Sequence, residues 1–144
     1  MTFSFKYKPV KLKTGETLYR PLIPITLEGE EKIDVLAMLD SGSDITIIPE
    51  ELAEVLGVEY KKDNIIYGIS REPVDAKEGK IYVKFGKGNE FYSFEIPILV
   101  PTGKLDLPII IGRAGFFNQF KIIFIESERR IEFKRLEPFQ IKYN

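Results

Sequence analysis

The dominant repeat in this sequence is two residues, and that repeat constrains the fold more than any other feature. Phe3, Phe5 and Tyr7 alternate with Ser4, Lys6 and Lys8, which predicts a strand with one buried face. Residues 22–27 form a second apolar segment, with Pro21 and Pro24 confining it to an edge or a strand start. Residues 33–39 are almost continuously apolar, broken only by Asp34, a pattern that suits a strand buried on both faces. That run stops at a cluster of turn formers, Asp40-Ser41-Gly42-Ser43-Asp44. Further on, residues 64–69 and 80–85 read as the arms of a hairpin with a long polar tip over 70–79. Residues 91–100 continue the sheet, 108–113 read as a short buried strand, and 115–120 as a helical turn or two. Residues 121–125 and 130–133 pair across 126–129 as a second hairpin. One helix is expected: Pro49 at its first position, Glu50, Glu51 and Glu54 in its early turns, a Leu52/Val55/Leu56 stripe, and Gly57 as its stop. The spacing therefore predicts an all-β barrel or sandwich with one short helix. The 144 residues fit a single domain over 1–144, without repeat or linker.

Two absences narrow the chemistry. The chain has no Cys and no His, so there is no thiolate nucleophile, no sulfur-held zinc and no imidazole base. Any catalysis must run on Asp, Glu, Lys, Tyr, Ser or backbone groups. Twenty-one basic against 22 acidic residues argue against nucleic acid or an anionic membrane as partner. No signal-like apolar core opens the chain and no apolar run reaches spanning length, so a cytoplasmic location is the default expectation.

The segment around Asp40 stands out. It places a carboxylate at the end of an apolar strand, followed by a hydroxyl and a glycine that lets backbone approach a ligand closely. Taken alone, Asp-Ser-Gly also reads as a turn in which Asp40 and Ser41 bond local amides. A divalent metal between Asp40 and Asp44 is poorly supported, because no further ligands converge.

The flanks shift the weighting. Met38 and Leu39 precede Asp40; Ser43 and Thr46 follow Gly42; far downstream comes Ile110-Ile111-Gly112-Arg113, then Gly115-Phe116-Phe117. Together these resemble the retropepsin-like aspartic proteases, single-domain relatives of pepsin, over roughly residues 20–125. The resemblance implies an all-β closed barrel with a flap hairpin and one short helix, working as a homodimer without cofactor or metal. It implies that Asp40 is the catalytic carboxylate, that Ser41 cross-links two active-site loops, and that the Gly42 carbonyl faces substrate, with Ser43 completing the loop. It implies a largely buried Asp44–Arg113 pair that fixes the loop, where the alternative is two unrelated surface charges. Ile110 falls at an apolar wall of the substrate cleft, or is plain core.

Residues 64–85 match the flap of that family, which closes over an extended peptide. Here Tyr67, Gly68 and Ile69 lead into a charged tip, Ser70-Arg71-Glu72-Pro73, where viral flaps are glycine-rich. Tyr67 either presents its ring to the cleft or packs beneath it. Ala114 also departs from the Asp or Asn that many relatives carry there. The hairpin 121–133 either forms a dimer sheet, with Phe124 and Phe133 as anchors, or completes the chain's own sheet.

Acid catalysis of this type needs two carboxylates sharing a proton. The chain has one Asp-Ser-Gly; Leu105-Asp106-Leu107 lacks the following Ser/Thr-Gly. The second carboxylate must come from another copy. The reading is an aspartic endopeptidase acting on extended or unfolded peptide. Its alternative is a non-catalytic peptide-binding or dimerisation module that keeps the fold.

Overall fold

Phe3, Phe5 and Tyr7 are buried while Lys6 is exposed, so the two-residue period becomes β1 (Thr2–Lys6) with one face in the core. The computed structural model describes residues 2–66, 74–103 and 108–136. Among these, β1 is followed by β2 (Lys8–Lys11), β3 (Thr17–Arg20), β4 (Leu22–Glu28), β5 (Lys32–Leu39) and β6 (Thr46–Ile47). Helix α1 (Glu50–Leu56) comes next, then β7 (Tyr60–Ile66), β8 (Val74–Lys87) and β9 (Glu90–Pro101). The chain continues through β10 (Ile110–Ile111), β11 (Phe120–Ile125) and β12 (Arg130–Arg135).

Six of these strands close a barrel in the order β4-β5-β10-β6-β9-β8, with β8 pairing back onto β4. The closure is an antiparallel contact from Thr26↔Lys84 to Glu28↔Tyr82. It reaches only that half of β4, so Pro24 lies where β4 has one neighbour and its missing N–H costs no ladder bond. The barrel interior is apolar, with Ile23, Leu27, Ile48, Val83, Ile96, Ile98 and Ile111 fully enclosed.

Beside the barrel, β1, β12 and β11 form a separate three-stranded sheet. Aromatic rings fasten it to the barrel. Phe85 on β8 meets Phe133 edge-on at 4.8 Å between centroids, Phe116 at 5.2 Å and Phe3 at 5.6 Å. Each such pair adds about 0.5–1.5 kcal/mol beyond the area it buries. The hairpin 121–133 thus completes the chain's own sheet, and Phe133 is spent in the core rather than held out for a partner.

The short helix forms where its sequence suggests, shifted by one residue, but it buries Ala53 and Leu56 while Val55 of the expected stripe is exposed. Pro49 is the N-cap, its carbonyl accepting the Ala53 N–H at 3.0 Å. Gly57 ends the helix in the left-handed conformation at φ 68°.

Two expectations are corrected. Residues 33–39 are not buried on both faces: β5 alternates, and Leu36 is 53% exposed, because the outer face of this barrel wall has no covering layer. The polar stretch expected as a tip over 70–79 is strand from Val74 onward, since β9 is long enough to pair it as far as Ala76↔Pro101. The β7–β8 hairpin exists, paired up to Ile66↔Val74. Tyr67, Gly68, Ile69 and the residues to Pro73 lie outside the described residues. Among the described residues no helix is long and apolar enough to cross a membrane.

Candidate active site

The Asp40 loop hangs between two pieces of buried strand. On its N-terminal side β5 runs parallel to β10, with Met38 opposite Ile110 and Leu39 opposite Ile111. The Met38 N–H donates to Ile109 O at 2.8 Å, and the Asp40 N–H to Ile111 O at 3.0 Å. On its C-terminal side β6 pairs with β10 through Ile47↔Ile110 and with β9 through Thr46↔Ile98. Ile110 is therefore the rung shared by both arms of the loop, and it is half-buried. This bracing places Asp40 on rigid structure, as a positioned functional carboxylate requires.

Within the loop the chain turns on its own bonds. Asp40 Oδ1 accepts the Gly42 N–H at 2.8 Å, and Asp40 O accepts the Ser43 N–H at 3.2 Å. The local turn and the half-buried carboxylate are thus one arrangement. The turn engages one carboxylate oxygen; among the described residues Oδ2 has no partner within the chain. Ser41 and Gly42 are exposed, and among the described residues the Ser41 hydroxyl also has no partner. Ser43 turns inward, its hydroxyl donating to Ile45 O at 2.8 Å.

The Gly112-Arg113 segment holds the far side of the loop. The Arg113 N–H donates to Ser43 O at 2.9 Å, and the Ala114 N–H to Asp44 O at 2.8 Å. Arg113 Nη2 donates to Asp44 Oδ1. This ion pair is exposed in the single chain, 54% at Arg113 and 82% at Asp44, so the expected burial does not hold there: the pair lies at the lip of the loop, with no layer above it. An open hollow of about 360 Å³ sits beside it, lined by Asp44, Arg113, Ala114, Phe117 and Asn118.

Sequence reasoning noted Thr46 only as a flank. It is fully buried, and its Oγ1 accepts the Gly112 N–H at 3.1 Å. The available signal was a lone hydroxyl inside the apolar run Ile45-Thr46-Ile47-Ile48, since a buried hydroxyl has to find a partner. Gly112 must itself be glycine. A Cβ there would stand 2.5 Å from the backbone carbonyl of Ile45.

A larger hollow of about 500 Å³ lies between the β4–β5 turn, the end of α1 and β8, bordered by Glu28, Glu30, Tyr60, Lys61, Lys80 and Glu95. Its two lysines act on each other. A hydrogen bond with Lys80 holds the Lys61 ammonium below its usual range, while Lys61 and then Glu95 push Lys80 up. It contains none of the loop residues. Among the described residues no cluster of carboxylates could hold a metal ion.

No protein-family model matches the chain, and no curated protein matches it in sequence. Solved structures do match. A retropepsin-like aspartic protease from Rickettsia conorii superposes with a TM-score of 0.55 at 18% identity, covering 92% of this chain and 91% of that one. The retroviral protease-like domain of Ddi1 from Leishmania major gives a TM-score of 0.52 at 16% identity, covering 83% and 96%. The chain therefore has the retropepsin-like, aspartic protease-like fold.

Proposed function

We propose that this chain is an aspartic endopeptidase that works as a homodimer and hydrolyses peptide bonds in extended or unfolded segments. The observation that carries the reading is a single braced Asp-Ser-Gly loop whose Asp40 has one carboxylate oxygen without a partner among the described residues. The loop supplies half of a two-carboxylate site, and the chain offers no second copy of it.

In this reading Asp40 of one copy is ionised and Asp40 of the other is protonated. The ionised carboxylate takes a proton from a water held between them, and the water oxygen attacks the peptide carbonyl carbon. The second Asp40 gives its proton to the carbonyl oxygen. Collapse of the tetrahedral diol breaks the C–N bond, and the nitrogen leaves with a proton. Ser41 hydroxyls tie the two loops together, which accords with their lack of a partner among the described residues of one chain. The Gly42 carbonyl accepts from the substrate backbone, and Ser43 turns inward to shape the loop. Asp44 and Arg113 brace its rim. Ile110 forms an apolar wall, and the β7–β8 hairpin, with Tyr67, Gly68 and Ile69, covers the peptide and excludes water. No cofactor enters. The whole chain, 1–144, acts as one unit, in the cytoplasm, with neither nucleic acid nor membrane as partner.

The test is cleavage of an unstructured protein by the purified chain at mildly acid pH, beside Asp40→Asn. The amide keeps the shape but cannot act as base. Cleavage lost in a folded Asp40→Asn supports the reading. Equal cleavage by both proteins rejects it, and no cleavage by either favours a peptide-binding module.

A further inference from the structure

The β2–β3 hairpin takes no part in the core. None of residues 8–20 is buried, and among the described residues the two strands pair only with each other. A two-stranded sheet of this kind is marginally stable by itself. Two features hold it in shape. The Leu12 N–H donates to Glu16 O at 2.8 Å and the Gly15 N–H to Leu12 O at 3.0 Å, closing a tight tip with Gly15 at φ 92°. At the base the Arg129 guanidinium lies 3.8 Å from the centroid of the Tyr19 ring, and Arg129 O accepts the Tyr7 N–H at 2.7 Å. The hairpin leads straight to the Asp40 loop: Pro21 follows β3, and its carbonyl accepts the Leu39 N–H at 3.0 Å.

Register separates the two edges. Leu12 bonds Glu16, and antiparallel bonding alternates along the ladder, so Val10 bonds Leu18 and Lys8 bonds Arg20. The backbone groups of Pro9 and Lys11 then face outward on β2, and those of Thr17 and Tyr19 on β3. Pro9 has no N–H to offer, which blunts the β2 edge. The β3 edge, Thr-Leu-Tyr-Arg, carries no proline. Charge is equally one-sided. Lys8, Lys11, Lys13 and Arg20 stand against Glu16 alone, in a chain of 21 basic and 22 acidic residues. Lys8 and Arg20 are directly opposite each other, a like-charge pair that destabilises a hairpin. Among the described residues no ion pair engages any of the four cations. On the same face Val10 lies opposite Leu18, which is 41% exposed.

We propose that the β3 edge docks an extended segment of another polypeptide, one in which an acidic and an aliphatic residue stand two apart. The segment adds antiparallel to β3, and its backbone bonds the outward N–H and C=O groups of Thr17 and Tyr19. An acid opposite Arg20 enters the row headed by Lys8 and offsets that like-charge pair. An aliphatic residue two positions on falls opposite Leu18, in the row headed by Val10. A second acid, one position further, falls opposite Thr17 in the row headed by Lys11, while Glu16 points to the other face. A nucleic acid would meet the cations but would use neither the apolar row nor the backbone edge. The docking itself does not depend on the carboxylate chemistry proposed above. Its consequence for substrate choice does rest on that reading: a chain held on β3 stays beside the Asp40 loop, which favours unfolded proteins rich in such segments.

Fluorescence anisotropy on the full-length Asp40→Asn chain tests this, because that parent separates docking from cleavage. The probe is a fluorescein-labelled peptide, Ser-Glu-Thr-Val-Glu-Ser. It should bind, more weakly as salt rises, and its fellow with Lys in place of each Glu should bind at least about tenfold more weakly. Thr17→Pro removes an outward N–H and leaves the β2–β3 ladder whole; it should weaken binding at least about tenfold with an unchanged far-ultraviolet circular dichroism spectrum. Thr17→Val, which keeps the N–H, should bind like the parent. Lys8→Glu with Arg20→Glu should reverse the preference between the two peptides. If Thr17→Pro disturbs the fold, the charge reversal decides alone. The proposal is overturned by parent-strength binding in a folded Thr17→Pro, by an unchanged preference after charge reversal, or by no binding of either peptide. Tighter binding of a single-stranded oligonucleotide of equal charge overturns it too, in favour of a phosphate-binding surface. Each of these results leaves the Asp40 reading standing, and a wild-type chain that cuts nothing would leave the docking result intact.

Discussion

The N–H of Gly112 donates to the buried hydroxyl of Thr46 at 3.1 Å, joining positions 66 residues apart in sequence. One residue is in the strand leaving the Asp40 loop; the other directly follows β10, which braces that loop from beside. The approach is close enough that a single methyl on Gly112 would collide with Ile45. This contact, more than the exposed ion pair, holds the loop against the barrel.

Thr46→Val keeps the volume but strands the Gly112 N–H in an apolar interior. The cost should be about 1–3 kcal/mol, read as a lower urea midpoint with unchanged slope. Thr46→Ser, which keeps the acceptor oxygen, should lose less. A Thr46→Val variant as stable as wild type, with the loss appearing only in Thr46→Ser, would show that the methyl, not the hydroxyl, matters.

Arg113→Ala should cost the isolated chain less than about 1 kcal/mol, because both partners of the ion pair are largely in solvent. The backbone bonds from Arg113 to Ser43 and from Ala114 to Asp44 survive the substitution. A loss of about 3 kcal/mol or more, measured at concentrations where the chain is monomeric, would mean that the pair is desolvated after all.

Much of this architecture was legible because it rests on local patterns. The alternation at Phe3, Phe5 and Tyr7, the stop at Gly57 and the hairpin around residues 126–129 each follow from short-range rules. At Asp40 the turn itself was legible from Asp-Ser-Gly, while its reading as a site came from the flanking Met38-Leu39 and the distant Ile110-Ile111-Gly112-Arg113. What escaped depends on which layers meet. Leu36 is exposed because nothing covers that wall of the barrel, a fact no local run encodes. The residues after Val74 look like a polar loop and are strand because β9 reaches far enough to pair them. The exposure of Asp44 and Arg113 reflects where the chain's surface ends, and neither residue carries that information alone.

Activity should rise and fall with pH about an acid optimum. Two carboxylates that share one proton are competent only while one is protonated and the other ionised. Acid removes the ionised partner, which acts as base, and alkali removes the protonated partner, which acts as acid. Initial rates on an unfolded substrate, with dimer content followed at each pH, will trace this. With no His or Cys in the chain, a rate that climbs steadily through the alkaline range while the dimer persists would point to a Lys or Tyr base instead.

The central claim is that one site is built from two Asp40 carboxylates, and mixing tests it most directly. Wild-type chains are combined with a rising excess of Asp40→Asn chains and allowed to exchange, and cleavage is measured per wild-type chain. If the site is shared, each mixed dimer is dead. An equal mixture should then retain about half the activity per wild-type chain, and a ninefold excess about a tenth, as random pairing in a closed two-fold requires. Activity per wild-type chain that stays constant at every ratio, with exchange verified, would show that one chain holds a complete site and would contradict the account.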